Sequence, residues 1–212
     1  MKKRGFEMSN NPPKPETALE TNLYVILDAT PISTSDEIHK NYRALSKKYH
    51  PDLCADKELG AAKMKEIVAA FNQLKEKDSR DLYDSQKIFR FRPYNKARAC
   101  MNAKPEGFFA RLFKKKPNPK DTAKKDQALV ERYNTAVSFA KTRKPDSLKM
   151  AMVEFQAIQK DQPRNPDLHY NIGLVCYFLG DFVNAVLSFQ NALSIDPEFE
   201  DAKKMIKSLE RN

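Results

Sequence analysis

A chain of 212 residues with 41% hydrophobic residues is long enough for one average domain or two small ones and apolar enough to build their cores. Its five glycines, set among many Ala, Lys, Leu, Asn and Glu with few β-branched runs, argue against a sheet protein and for an all-α fold. The formal charge of +10 does not mark the whole chain as a polyanion binder, because residues 85–125 hold 13 Lys or Arg against 2 Asp or Glu and the remainder is close to neutral.

The first 20 residues, with Asn-Asn-Pro-Pro-Lys-Pro and no periodic apolar pattern, read as a disordered leader. Their basic start is followed by no apolar run, so no secretory signal is expected, and no stretch of eighteen apolar residues occurs. Cys54, Cys100 and Cys176 are far apart and odd in number, which argues against a disulfide frame or a zinc ribbon and suits a reducing, cytoplasmic compartment. No metal or cofactor is expected.

From Asn22 the pattern turns helical. Tyr24 and Leu27 belong to a short first helix, and Ile38, Tyr42, Leu45 and Tyr49 form one apolar stripe of a second, started by Thr34 or Ser35 with Asp36 and Glu37 behind. Pro51 stops that helix. A third resumes over 62–77 with Met64, Ile67, Ala70, Phe71 and Leu74 on one face, so the two stripes should pair as an antiparallel hairpin.

The turn between them holds His50, Pro51 and Asp52. Pro51 has no N–H to donate and biases His50 away from helix, so the turn is stiff and its side chains project. Asp52 offers a carboxylate that a partner's arginine can grip in bidentate fashion. Lys40, Arg43, Lys47 and Lys48 are expected on the face away from Tyr42 and Leu45, a basic strip beside the tip. The pattern calls for a partner with an acidic patch and a nearby arginine. His50 has no nucleophile or metal ligand at recognisable spacing, since His39 and His169 supply none, so no catalytic residue is assigned and the chain reads as no enzyme.

Residues 87–121 break the helical pattern, with Pro93, Pro105, Gly107, Pro117 and Pro119 among basic residues, six aromatics and the run GFFARLFKKK. This basic linker is either a spacer whose aromatics pack on a neighbouring domain or a grip on an anionic membrane surface or nucleic acid. No fold-level motif supports nucleic acid.

Helix returns over about 122–143, 147–160, 167–179, 182–194 and 199–210, punctuated by Pro145, Pro163, Pro166, Gly180 and Pro197. Pro163 and Pro197 are 34 residues apart, and each closes a matching run: Ala151, Phe155, Ile158, then Ala185, Phe189, Ala192. The period and the small and aromatic positions resemble the tetratricopeptide repeat, with Ile172, Gly173 and Cys176 in the first helix of the later copy. In the earlier copy Ala136 and Phe139 fit only with about three extra residues, expected in a loop over 144–147. The resemblance implies, over 122–212, two repeats and a capping helix whose concave groove binds a client or adaptor protein. Asn134 and Asn171 are the hints of groove positions that grip chaperone tails, without obvious basic partners.

The region 22–84 resembles the J domain of DnaJ-type co-chaperones: NLYVILDA its opening, IHKNYRALSKKYHPD its second helix and loop, KMKEIVAAFNQLKEKDSRDLYD its third helix and closing Arg and Tyr-Asp. That resemblance implies a four-helix J domain at 21–86 and a DnaK-type heat-shock ATPase as partner. His50, Pro51 and Asp52 would transmit stimulation of ATP hydrolysis, and Lys40, Arg43, Lys47 and Lys48 would supply electrostatic docking. Asp28, His39, Ala44 and Ser79 depart from the usual pattern and weaken the electrostatic contact. The Gly/Phe-rich linker and C-x-x-C zinc domain of full DnaJ are missing, so the likeness is to proteins sharing only the J domain. A different reading is a repeat scaffold tethered by the basic linker, with a J-like domain that no longer stimulates.

Overall fold

The computed structural model describes residues 22–50, 52–54, 56–86, 89–99 and 119–209, the last stretch with side chains from 123. The expected leader, Pro51 and GFFARLFKKK lie outside the described residues. Ten helices and no strand are found among those described, an all-α fold.

The N-terminal unit holds α1 (Leu23–Ile26), α2 (Ser35–Lys48), α3 (Lys57–Leu74) and α4 (Lys77–Asp84). Thr34 starts α2 through a reciprocal cap: Glu37 N–H donates to its hydroxyl at 3.2 Å, and Thr34 N–H donates to the Glu37 carboxylate at 2.8 Å. Asp56 caps α3 by accepting from the amides of Glu58 and Leu59, both at 3.0 Å, which starts the helix five residues before position 62, the start read from the sequence. The stripes of α2 and α3 meet as expected, with the rings of Tyr42 and Phe71 stacked at 4.0 Å and Ile38, Leu45, Ile67, Ala70 and Leu74 buried.

A buried polar cluster ties the ends of this unit together. The Tyr24 hydroxyl donates to Asp84 at 3.0 Å and accepts from Arg80 Nε at 3.0 Å, while Arg80 reaches the Pro31 carbonyl at 2.7 Å. The residues that open and close the unit in sequence therefore share one site in space. Asp28, which stands where glycine is usual, has φ +48°, the left-handed region that costs a non-glycine residue on the order of 1 kcal/mol. Asn41 braces that turn by donating to the Asp28 carbonyl at 2.8 Å.

The C-terminal unit stacks α6 (Pro119–Lys141) on α7 (Pro145–Asp161) and α8 (Pro166–Phe178) on α9 (Phe182–Ile195), followed by α10 (Glu200–Leu209). Ala151, Phe155, Ala185, Phe189 and Ala192 are fully buried, while Pro163 and Pro197 sit in exposed turns. Gly173 is needed for close approach, since a Cβ there would lie 2.5 Å from the Phe189 ring. Corresponding ring contacts fill both hairpins: Tyr133 edge-on to Phe155 at 5.7 Å and Tyr170 tilted on Phe189 at 5.4 Å. The three extra residues of the earlier hairpin do not lengthen its loop. They form an added turn of α7, which has 17 residues against 14 in α9, because Pro145 suits the first turn of a helix.

Every residue of α8 is buried, which two neighbouring helices alone do not achieve. The third cover is the stretch 89–99, which runs along α8 in extended form and ends in α5 (Lys96–Ala99). Its Phe89 lies between Tyr83 at 5.5 Å and Tyr177, stacked at 5.2 Å, and Phe91 packs on Phe178 at 5.9 Å. The two units also touch directly: Arg143 lies over the Phe178 ring and pairs with Asp84, and the Tyr177 hydroxyl donates to Asn22 at 3.4 Å.

Candidate functional site

The turn between α2 and α3 forms the outer tip of the N-terminal unit. Helix α2 ends at Lys48 with Tyr49 as its C-cap, and His50 O accepts from the amides of both Leu53 and Cys54 at 2.9 Å, which closes the loop on itself. Gly60 permits this closure, because a Cβ there would come within 2.9 Å of Cys54 Cβ. The Asp52 amide donates to His50 Nδ1 at 3.2 Å, so the neutral ring carries its proton on Nε2, and the Asp52 carboxylate lies 3.6 Å from the same nitrogen. The His50 side chain is 51% exposed and that of Asp52 86%. An exposed donor edge and an exposed acid thus sit side by side on a loop braced from within. Pro51, expected between them, is outside the described residues.

Lys40, Arg43, Lys47 and Lys48 are all exposed. Lys40, Arg43 and Lys47 follow the i, i+3, i+7 spacing of one helix face. Lys48 stands one position round and lines, with Leu45, Ile26, Ile67 and Ser208 of α10, a cleft of about 480 Å³. The strip is therefore three cations wide on one face, with the fourth turned towards the cleft. Among the described residues no group of His, Cys, Asp or Glu could hold a metal ion. His169 is buried and its Nε2 lies 2.8 Å from the Pro163 carbonyl, a structural contact within the repeat.

The second surface is the groove of the C-terminal unit, lined by α6, α8 and α10. Asn171 grips the main chain of Arg92 twice, accepting from its N–H and donating to its carbonyl at 2.8 Å each. Asn134 accepts from the Tyr94 amide at 3.4 Å. Both asparagines singled out in the sequence thus face the groove, where they hold residues of the same chain. Sequence reasoning missed the acidic partners: Arg92 pairs with Asp201, Arg98 bonds Asp167 and Asp196 at 2.9 Å each, and Lys96 lies 3.2 Å from Asp126. Burial raises the Asp167 carboxyl above its ordinary range, and the Arg98 guanidinium pulls it back. The signal in the sequence was Phe89-Arg90-Phe91, the alternation of a half-buried extended segment.

Titratable groups inside the fold follow burial. Asp84 is raised to about 6, chiefly because it is buried, against the lowering pull of Arg143, Tyr24 and Arg80. Burial likewise pushes the Cys176 thiol up to about 11, an unreactive structural cysteine.

Comparison with known proteins agrees with these surfaces. Residues 22–84 match the family model of the DnaJ domain, and residues 166–199 match that of the tetratricopeptide repeat. The chaperone protein DnaJ of Finegoldia magna is 44% identical over 63 residues, covering 30% of this chain and 17% of that protein. Its counterpart in Acetobacter pasteurianus is 40% identical over 67 residues, 32% of this chain and 18% of the relative. That of Hydrogenobacter thermophilus is 44% identical over 61 residues, 29% and 17% respectively. The chain thus spans less than a fifth of the length of these curated relatives. No solved structure matches it.

Proposed function

We propose that this protein, which carries a J domain at 22–84 and a tetratricopeptide repeat at 166–199, is a cytoplasmic co-chaperone of a DnaK-type ATPase. The observation that carries the reading is the exposed His50–Asp52 tip at the end of two paired helices, within the stretch that matches the DnaJ domain. In this reading Lys40, Arg43 and Lys47, with Lys48 at the edge, steer the tip onto an acidic surface of the ATPase. His50 and Asp52, with Pro51 between them in sequence, then engage polar groups that couple to nucleotide hydrolysis. The protein itself performs no bond chemistry; it changes the rate of its partner. The repeat unit brings a client or adaptor to the same place.

A polyanion-binding role for the linker is disfavoured over 89–99, where Arg92, Lys96 and Arg98 are paired with carboxylates of the same chain. Steady-state ATP hydrolysis by a cognate DnaK-type chaperone tests the proposal. Addition of the protein should raise the rate several-fold, and His50→Gln and Asp52→Asn should each abolish the increase while leaving the circular dichroism spectrum unchanged. An active chaperone that ignores the wild-type protein would leave a repeat scaffold with a silent J-like domain.

A further inference from the structure

The groove of a repeat unit is where a partner peptide is expected, yet here a peptide already lies in it. Residues 91–98 cross α6, α8 and α10, with main-chain contacts to the first two and a side-chain contact to the third: Asn134 on Tyr94, Asn171 on both polar groups of Arg92, and acids on the two arginines. The Arg92 guanidinium lies over Tyr170 and Phe199, at 5.7 and 5.4 Å from the ring centres, and Arg98 lies over Phe199 at 4.5 Å. Each arginine site thus combines an aromatic face with carboxylate, the arrangement that recognises guanidinium best. Asp167 and the Asp196 side chain are 5% and 11% exposed, so these acids are built into the groove wall. Removal of the arginines would leave them buried without a counter-charge.

We infer that this groove is a receptor for an extended basic and aromatic segment of the form Phe-Arg-Pro-Tyr with a second arginine six residues after the first, and that residues 89–99 occupy it in cis. A client or adaptor must present the same pattern and displace that segment to bind. Acidic chaperone tails are excluded, because their carboxylates would meet Asp167, Asp196 and Asp201. The inference deepens the role proposed above for the repeat unit and rests on that reading only for the existence of a partner in trans.

A fluorescein-labelled peptide FRFRPYNKARA, residues 89–99, measures the groove by anisotropy on the full chain. It should bind the charge-reversed Arg92→Glu/Arg98→Glu protein at least tenfold more tightly than the wild type, whose groove is filled. Addition of Asp201→Lys to that variant should cut the binding at least tenfold, and the peptide with the arginines corresponding to Arg92 and Arg98 changed to Glu should not bind. Equal binding to wild type and variant, or none to a folded variant, overturns the proposal. Hydrogen exchange on the unmodified chain supplies a readout that needs no variant: the Arg92 amide should be protected, and excess unlabelled peptide should speed its exchange. An Arg92 amide that exchanges freely without peptide equally overturns it. Neither readout depends on ATPase stimulation, so failure of the co-chaperone assay and failure of this test are separate results.

Discussion

Asp84 shows how one residue serves both units. Its carboxylate accepts from Tyr24 inside the J domain and faces Arg143 from the repeat unit, and burial outweighs these partners, raising its pKa to about 6. An unfolded aspartate titrates near 3.9, so the fold binds the proton more tightly than the unfolded chain does. Stability should therefore rise as pH falls from about 6 to about 4 and level off below, by on the order of 2–3 kcal/mol for a shift of this size. Urea unfolding from pH 4 to pH 7 should show this slope, and Asp84→Asn should remove most of it, Asp167 supplying a smaller share of the same sign. A slope unchanged in Asp84→Asn would mean that the burial cost lies elsewhere. At this scale the tip was legible, because a proline after helix-forming residues constrains its neighbours wherever it occurs. The partners of Asp84 were not, since Arg143 is 59 residues away and its approach depends on how the two units dock.

Helices whose own side chains cap them and cover one another were readable: α2 from its stripe and Thr34, α8 and α9 from the 34-residue period. The segment 89–99 was not, because its structure is imposed by the surface it lies on rather than by local propensity. Composition marked it as linker and left open a spacer whose aromatics pack on a neighbouring domain; Phe89 and Phe91, 2% and 6% exposed, agree with that alternative, while the path along α8 was not readable. A buried phenylalanine cut to alanine costs about 3–5 kcal/mol, whereas a change at an exposed position stays within about 0.5 kcal/mol. Phe91→Ala should therefore destabilise the chain by about 3 kcal/mol in urea titration and Arg90→Ala hardly at all. Equal effects of the two would show that the segment does not stay on the repeat unit. The added turn of α7 teaches the same lesson on a smaller scale: the number of extra residues was countable, but their place was decided by Pro145 favouring a helix start.

Taken whole, the molecule presents two surfaces of opposite kind. The tip of the J domain is exposed and basic along one side, whereas the repeat groove is acid-lined and filled by residues 89–99. Phe89, Arg143 and the Tyr177 hydroxyl join the two units. The central claim, that the chain meets a DnaK-type ATPase through the J-domain tip, is read most directly by amide hydrogen exchange with and without that ATPase bound. Exchange should slow along α2 and through residues 50–54 and stay unchanged over α6–α10. Slowed exchange confined to the repeat unit, with the tip unaffected, would contradict it.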